Sequence, residues 1–168
     1  MANTFELIAS STVGASPVAS IDFSSIPSTY TDLVVKVSIR SSRTASRDDT
    51  TIIKFNGSST GYTAKYLVGT GSAAGSYSDT LIYGNTDSNL DTANTFGSAE
   101  FYIPNYASSA YKSVSSDSAE ENNATAANAG FTAGLWSNTA AINQITLSFN
   151  GSNALQYSTA YLYGVKNA

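Results

Sequence analysis

The chain has 168 residues and a mass of 17.5 kDa, the size of one domain able to bury roughly two-thirds of its unfolded surface. It contains no cysteine and no histidine, which excludes disulfides, thiolate zinc sites, Cys or Ser–His–Asp nucleophile systems and imidazole acid–base chemistry. Charged residues make up only 12%, while 28 Ser, 19 Thr and 14 Asn supply polarity. The net charge of −4 argues against a nucleic-acid-binding domain, which needs a basic face for phosphates.

No segment of the sequence would direct the chain into a membrane. Residues 1–16 contain Glu6 as their only charge and lack the apolar run of a signal peptide. The densest apolar patch elsewhere is Leu33, Val34 and Val35, far below the ~20 residues that a membrane span needs. We therefore expect a chain that is made in the cytoplasm, binds no membrane and folds as one domain over residues 1–168.

Short segments with apolar residues at alternate positions follow one another along the chain and are separated by turn residues. This pattern is typical of an all-β sandwich or barrel. Two facing sheets of four or five strands fit it, and a double-sheet jelly roll of about ten short antiparallel strands is the commonest such arrangement. In chain order the predicted strands are residues 4–9, 18–23, 31–40, 51–55, 61–68, 80–83, 97–103, 110–115, 130–136, 142–149 and 156–165.

The connections between these strands contain recognisable turn and loop signals. Asn56-Gly57 favours a hairpin turn that would pair strand 51–55 with strand 61–68. Residues 69–79 are rich in Gly, Ser and Ala and indicate a loop. Residues 118–129 begin with a capping-box spacing but have no apolar stripe, so we expect a loop with at most one helical turn.

The last predicted strand has apolar residues on both faces. Tyr157, Tyr161 and Tyr163 share one face, whereas Leu162 lies between small residues on the other. A strand covered on both sides is unexpected at the edge of a sheet in water. We therefore expect it to be a central strand or to be buried against a neighbouring subunit.

No residue pattern indicates a catalytic, cofactor-binding or metal site. Residues 69–75 have the spacing GxGxxxG and no helix follows them, so they do not form a dinucleotide fingerprint. Ser109 and Lys112 match S-x-x-K, but in a β context and without a following K-T-G. Residues 85–91 alternate oxygen side chains but lack the glycine and glutamate of a calcium loop. We expect no enzyme, no cofactor and no metal.

Both ends of the chain carry a resemblance to a known group of proteins. The segments are NTFELIASS at residues 3–11, SIDFSSIP leading into YTDLVVKV at residues 20–37, and ITLSFNGS with STAYLYGV at residues 145–165. They resemble small jelly-roll virion proteins of tailed bacteriophages, especially marine and cyanobacterial ones. The resemblance implies a structural role in the virion and transfers no functional residues, because the group has no shared active site.

The leading hypothesis from this resemblance is a capsid decoration (cement) protein on the outer capsid surface. Such a protein would assemble in the host cytoplasm, form a homotrimer and bind and stabilise the shell of the major capsid protein. The alternative is a tail-fibre or adsorption module that binds host-surface carbohydrate, with exposed tyrosines and Trp136 as sugar platforms. A third hypothesis is a glycan-degrading enzyme that uses Glu100 or Glu120.

Two parts of the sequence are predicted to lie near subunit contacts. The polar segment 40–49 contains every arginine of the chain and ends in two aspartates. It has two interpretations, a solvated loop with weak ion pairs or an interface in which arginine pairs with carboxylates. The N-terminal strand is the second part. The predicted interface residues are Phe5, Glu6, Arg40, Arg43, Arg47, Asp48 and Asp49.

Overall fold

The computed structural model of the chain describes residues 4–123 and 127–166, which form twelve β-strands and no helix. No helix long and apolar enough to cross a membrane is therefore found in these two ranges. The strands are β1 (Phe5–Thr12), β2 (Ser20–Phe23), β3 (Asp32–Ile39), β4 (Asp48–Phe55), β5 (Tyr62–Gly69), β6 (Ala74–Asp79), β7 (Ile82–Asp87), β8 (Gly97–Ile103), β9 (Lys112–Glu120), β10 (Asn128–Trp136), β11 (Ile145–Phe149) and β12 (Thr159–Val165).

The strands form two sheets, which confirms the predicted all-β sandwich. The larger sheet has the order β1-β12-β3-β8-β9-β10-β5-β6 and the smaller one has the order β2-β11-β4-β7, with antiparallel pairing throughout both. Strands β1 to β4 alternate between the sheets, as do β7 with β8 and β11 with β12. The assignment of this connectivity to the jelly-roll class stays a prediction.

The larger sheet extends beyond the edge of the smaller one. Strand β7, at the edge of the smaller sheet, packs beneath β8, β9 and β10. The hairpin β5–β6 is added to the far side of β10, so it lies past that edge. This overhang creates a concave surface that two sheets of equal width would not have.

The core lies between the sheets and contains the alternate residues that the sequence pattern places inward. Ala99, Phe101 and Ile103 of β8 are buried, and so are Ile145, Leu147 and Phe149 of β11. Because successive side chains of a strand point to opposite faces, one face of each strand can be apolar while the other remains wet. The alternation therefore predicted these inward faces correctly.

Strand β12 lies between β1 and β3, which confirms the first of the two expected alternatives, a central strand rather than an edge strand buried against a neighbouring subunit. On its inner face Ala160 and Leu162 are fully buried. On its outer face Tyr163 pairs across the sheet with Val34 of β3. Val34 is buried even though its neighbours Leu33 and Val35 face the core, because tyrosines flank it on both adjacent strands.

The predicted hairpin between strands 51–55 and 61–68 is wrong, although its turn is present. Asn56 and Gly57 adopt positive φ values of 51° and 68°, as the dipeptide predicted. The chain then crosses to the other sheet, where β5 pairs with β10 and β6, while β4 pairs with β7 and β11. The backbone N–H of Phe55 is bonded to the Tyr62 hydroxyl at 2.8 Å, so a side chain links the two strands across the core.

Two segments predicted as loops contain strand residues. Residues 74–79 form β6, which pairs with β5 through its backbone even though most of its side chains are exposed. Strand β9 continues to Glu120 and β10 starts at Asn128, so five of the nine described residues of 118–129 belong to strands, and residues 121–123 and 127 do not. Residues 124–126 of that prediction lie outside the described ranges. Strand β6 is an edge strand without apolar alternation, and the buried positions 118 and 120 of the central strand β9 are Ser and Glu, so the sequence pattern showed neither strand segment.

Candidate functional site

The predicted interface residues lie in two groups at opposite ends of β3. Phe5 pairs with Val165, which in turn pairs with Asp32 at the first position of β3. Arg40 directly follows the last residue of the same strand. At the rise of an extended chain the two groups are therefore roughly 25 Å apart. The structure does not bring them together, and they belong to two separate surfaces.

The first group is on the surface. Phe5 is exposed, and Glu6 accepts a hydrogen bond from the Nζ atom of Lys166 at 2.7 Å. This contact lowers the pKa of Glu6 and raises the pKa of Lys166. The Lys166 ammonium also lies 5.2 Å from the centre of the Tyr30 ring. The end of β1 is thereby fixed to the chain that follows β12, with Phe5 left open to solvent.

The second group is partly internal. Arg40 is only 8% exposed, and its guanidinium donates to the backbone carbonyls of Asp91, Thr92 and Thr95 at 2.8 to 3.2 Å. These hydrogen bonds hold the loop between β7 and β8 next to the end of β3. Arg40 therefore has an internal role and offers little surface to a partner.

Asp49 is buried as well. Its carboxylate accepts from the Ser152 hydroxyl at 2.6 Å and from Arg43 at 3.4 Å. By contrast, Arg47 and Asp48 are exposed. The Asp49 side chain is therefore not accessible to a partner. For the exposed residues of both groups, a role at a subunit interface stays a prediction.

A row of large apolar side chains crosses the outer face of the eight-stranded sheet. Leu7, Tyr163, Val34 and Tyr102 are successive partners across β1, β12, β3 and β8. The exposed residues of this region, which we call the outer apolar band, are Phe5, Leu7, Tyr102 and Tyr161. Beside them, Lys36 and Glu100 form an ion pair, with Nζ 2.7 Å from Oε2.

The overhang of β5 and β6 forms a cleft of about 440 Å³ against β4 and β7. Three tyrosine rings lie in it, and we call it the tyrosine cleft. The ring centres of Tyr66 and Tyr77 are 6.4 Å apart in a stacked arrangement, and those of Tyr66 and Tyr83 are 5.1 Å apart and tilted. The polar lining of the cleft consists of Asp48, Thr50, Thr70, Asp79, Asn85, Asn128 and Asn150.

Burial shifts the pKa values of two tyrosines of the cleft, Tyr66 and Tyr83. It raises the pKa of Tyr83 to about 12, with the nearby Asp79 carboxylate as the next cause, and it also raises the pKa of Tyr66. The Tyr66 hydroxyl donates to Oδ1 of Asn85 at 2.9 Å. Tyr66 and Tyr83 therefore carry no charge at neutral pH, and the cleft presents aromatic rings beside hydrogen-bonding groups. No sequence pattern predicts this cleft, because its three tyrosines lie on separate strands.

The expectation that Trp136 serves as a sugar platform is wrong. Trp136 is 1% exposed, and its ring stacks on Tyr62 with centres 6.0 Å apart and packs on Phe55 at 5.5 Å. It occupies an inward position at the end of β10, so alternation along that strand directs it into the core.

Glu100 and Glu120 do not face one substrate. Glu100 pairs across the sheet with Asp117, whereas Glu120 lies three positions further along β9 and therefore on the opposite face. Glu100 is bonded to Lys36 on the outer face, and Glu120 is buried on the inner face. The structure does not bring together the two glutamates that the glycan-degrading hypothesis names.

Within residues 4–123 and 127–166, no three His, Cys, Asp or Glu side chains are grouped so that they could hold a metal ion. Two of the alternating side chains of residues 85–91 are bonded internally: Oδ1 of Asn85 accepts from the Tyr66 hydroxyl, and Asp91 accepts from the backbone N–H of Ser88 at 2.6 Å. No protein family, curated protein or solved structure matches this chain.

Proposed function

We propose that this chain is a structural protein of a bacteriophage virion. Its role is that of a capsid decoration (cement) protein, which binds the shell of the major capsid protein as a homotrimer on the outer capsid surface. The proposal starts from the sequence resemblance at both ends of the chain. The structural observation that supports it best is the outer apolar band.

The outer apolar band has the character of a contact surface between subunits. Monomeric soluble proteins rarely expose contiguous apolar patches of more than a few hundred Å². Here Phe5 and Leu7 of β1 lie beside the tyrosines of β12, and Val34 of β3 connects these tyrosines to Tyr102 of β8. The Lys36–Glu100 ion pair lies at their border. An apolar centre with a polar border is the usual arrangement of a protein interface. We assign this face to contacts between copies of the chain.

The second surface is charged and lies at the other end of β3. Arg47 and Asp48 are exposed there, and Arg43 keeps part of its side chain in solvent while it pairs with Asp49. Charged rims steer and orient a partner more than they add affinity. A decoration protein needs one surface for its own copies and one for the shell, so the charged surface is assigned to the major capsid protein.

Light scattering on the purified chain tests the trimer. The matched variants are Leu7→Asp and Leu67→Asp, because the two leucines are 53% and 54% exposed on the same sheet but lie on β1 and β5. We expect trimers for the parent chain and for Leu67→Asp, and monomers for Leu7→Asp, since a buried charge without a partner opposes association. A monomeric parent chain, or equal loss of trimer in both variants, would contradict the assignment.

The virion itself is tested by counting copies of the chain in purified particles. A number in the hundreds, which follows the symmetry of a shell, supports the decoration role. A small number that follows the rotational symmetry of a tail contradicts it and favours an adsorption device. Imaging of the same particles would locate the extra density on the capsid or on the tail.

A further inference from the structure

We infer that the tyrosine cleft is a binding site for an uncharged saccharide, with Tyr77 as the ring on which the sugar stacks. This inference does not rest on the virion proposal. Of the sugar platforms named in the carbohydrate hypothesis, Trp136 is in the core, whereas Tyr77 is an exposed tyrosine that lines the cleft. The inference follows from the shape of the cleft, its aromatic rings, its polar lining and its charge.

The shape of the cleft is built into the sheets. One wall consists of inward positions of β5 and β6, where Tyr66 pairs directly with Tyr77 and Ala64 with Asp79. The other wall consists of β4 and β7, where Thr50 pairs with Asn85. Both walls are hydrogen-bonded strands, which hold a site more rigidly than loops do. Its volume lies in the range of ligand-binding clefts.

The rings are arranged as a support and a platform. Tyr66 is buried, and its hydroxyl is fixed by Asn85, so it supports the rings on either side of it. Tyr77 stacks on that support and is 58% exposed. Aromatic faces pack against the aliphatic C–H face of a sugar ring, and tyrosine does so while it keeps a polar hydroxyl in water.

Glycines make room for two of the rings. A Cβ atom on Gly75 would lie 2.7 Å from the Tyr77 hydroxyl, and one on Gly130 would lie 2.7 Å from the Tyr66 ring. Any larger residue at position 75 would therefore displace the platform. Because Tyr77 is largely exposed, its ring can move away without disturbing the core.

The polar lining suits hydroxyl groups. Sugar hydroxyls both donate and accept, and the Asp48 and Asp79 carboxylates are strong acceptors for them. Asp79 is held in place, since its Oδ1 accepts from the backbone N–H groups of Thr80 and Leu81 at 2.6 and 3.2 Å. The Nδ2 atom of Asn85 is buried and finds no hydrogen-bond partner among the described residues, so this wall retains an unused donor.

The charge of the cleft selects against acidic ligands. Among the described residues that line it there are two aspartates and neither lysine nor arginine. Phosphate, sulfate and uronate groups would meet only like charge there. A quaternary ammonium ion would fit the rings and the carboxylates but would leave the asparagine and threonine groups without hydrogen bonds. An uncharged saccharide uses both kinds of lining.

A printed glycan array that carries neutral, sialylated and sulfated saccharides tests the inference with the labelled full chain. The matched variants are Tyr77→Ala and Tyr111→Ala, because both tyrosines are 58% exposed and Tyr111 does not line the cleft. We expect binding to neutral glycans, a loss of about tenfold or more in Tyr77→Ala and no change in Tyr111→Ala. Gly75→Ala should weaken binding in the same direction while it leaves the unfolding midpoint unchanged.

Three outcomes would overturn the inference. They are binding to no neutral glycan, preferential binding to sialylated or sulfated glycans, and equal loss of binding in Tyr77→Ala and Tyr111→Ala. An NMR titration with the best monovalent saccharide then removes the effect of avidity, and resonances of the cleft should shift. Choline chloride serves as the ammonium probe in the same titration. Shifts with choline but not with the saccharide would also overturn the inference.

Discussion

Glu120 and Asn128 face each other across the pair β9–β10, and only one oxygen of the glutamate is used. Oε1 accepts a hydrogen bond from Nδ2 of Asn128 at 2.6 Å. Oε2 is buried and has no partner among the described residues. Burial raises the pKa of Glu120 to about 9, and the neighbouring aspartates act in the same direction. The folded chain therefore holds this carboxyl group in its neutral form at pH 7.

The first prediction concerns pH and stability. Glu120 has a folded pKa near 9 and an ordinary pKa of 4.5, so between these values the folded chain binds more protons than the unfolded chain. The stability that depends on neutral Glu120 is fully present below pH 4.5. It is lost as the pH rises toward 9, and the free energy of unfolding then falls by up to about 1.4 kcal/mol per pH unit. Urea unfolding at pH 5.5 and pH 8.5 should show this loss.

Two matched variants distinguish the contribution of Glu120 to this pH dependence from that of other acidic residues. In Glu120→Gln the loss between the two pH values should shrink, because the amide keeps an acceptor for Asn128 but cannot ionise. In Glu100→Gln, which changes a surface glutamate, the loss should remain. The pKa of buried Asp87 is also raised, so some slope persists in both variants. Equal pH dependence of the parent chain and Glu120→Gln would contradict the prediction.

The second prediction concerns two arginines of the polar segment that differ in burial. Arg40→Ala removes the donors to Asp91, Thr92 and Thr95, so we expect a loss of about 3 kcal/mol in the free energy of unfolding. Arg47 is exposed and makes one long bond to the Leu90 carbonyl at 3.3 Å. Arg47→Ala should leave the urea midpoint nearly unchanged. Similar midpoints for the two variants would contradict an internal role for Arg40.

Local patterns along the chain predicted the features that depend on neighbouring residues. Alternation identified the inward faces of β8 and β11, and Asn56-Gly57 identified a turn with positive φ. The two apolar faces of β12 left a central strand or burial against a neighbouring subunit, and the first alternative is the one found. These features follow from the geometry of a single strand or turn. They do not require knowledge of which strands pair.

Features that depend on pairing were beyond the sequence patterns. Tyr66, Tyr77 and Tyr83 lie on three strands in two sheets, and nothing local shows that their rings meet. The exposed strand β6 has no apolar alternation, so the wall that carries Tyr77 was predicted as a loop. Burial of Arg40 likewise depends on carbonyl groups more than fifty residues away in the chain. Such contacts come from the tertiary fold.

The third prediction tests a close approach at β12. A Cβ atom on Gly164 would lie 2.3 Å from ring atoms of Tyr30, which packs against the core. Gly164→Ala should therefore displace this ring and lower the free energy of unfolding by about 2 kcal/mol. Gly69→Ala is the control, because nothing lies within 4 Å of its Cβ position. Urea unfolding of both variants checks the prediction, and equal midpoints would contradict it.

The fourth prediction separates the adjacent residues Asp48 and Asp49. Asp49 is buried and holds Arg43 and the Ser152 hydroxyl, so Asp49→Ala leaves both without their acceptor. We expect a loss of about 2 kcal/mol in the free energy of unfolding. Asp48 is exposed, and Asp48→Ala should leave the unfolding midpoint unchanged. Because Asp48 also lines the tyrosine cleft, the same variant should weaken saccharide binding without any loss of stability. Thermal unfolding and the NMR titration measured on both variants check the two effects, and a destabilised Asp48→Ala would contradict the prediction.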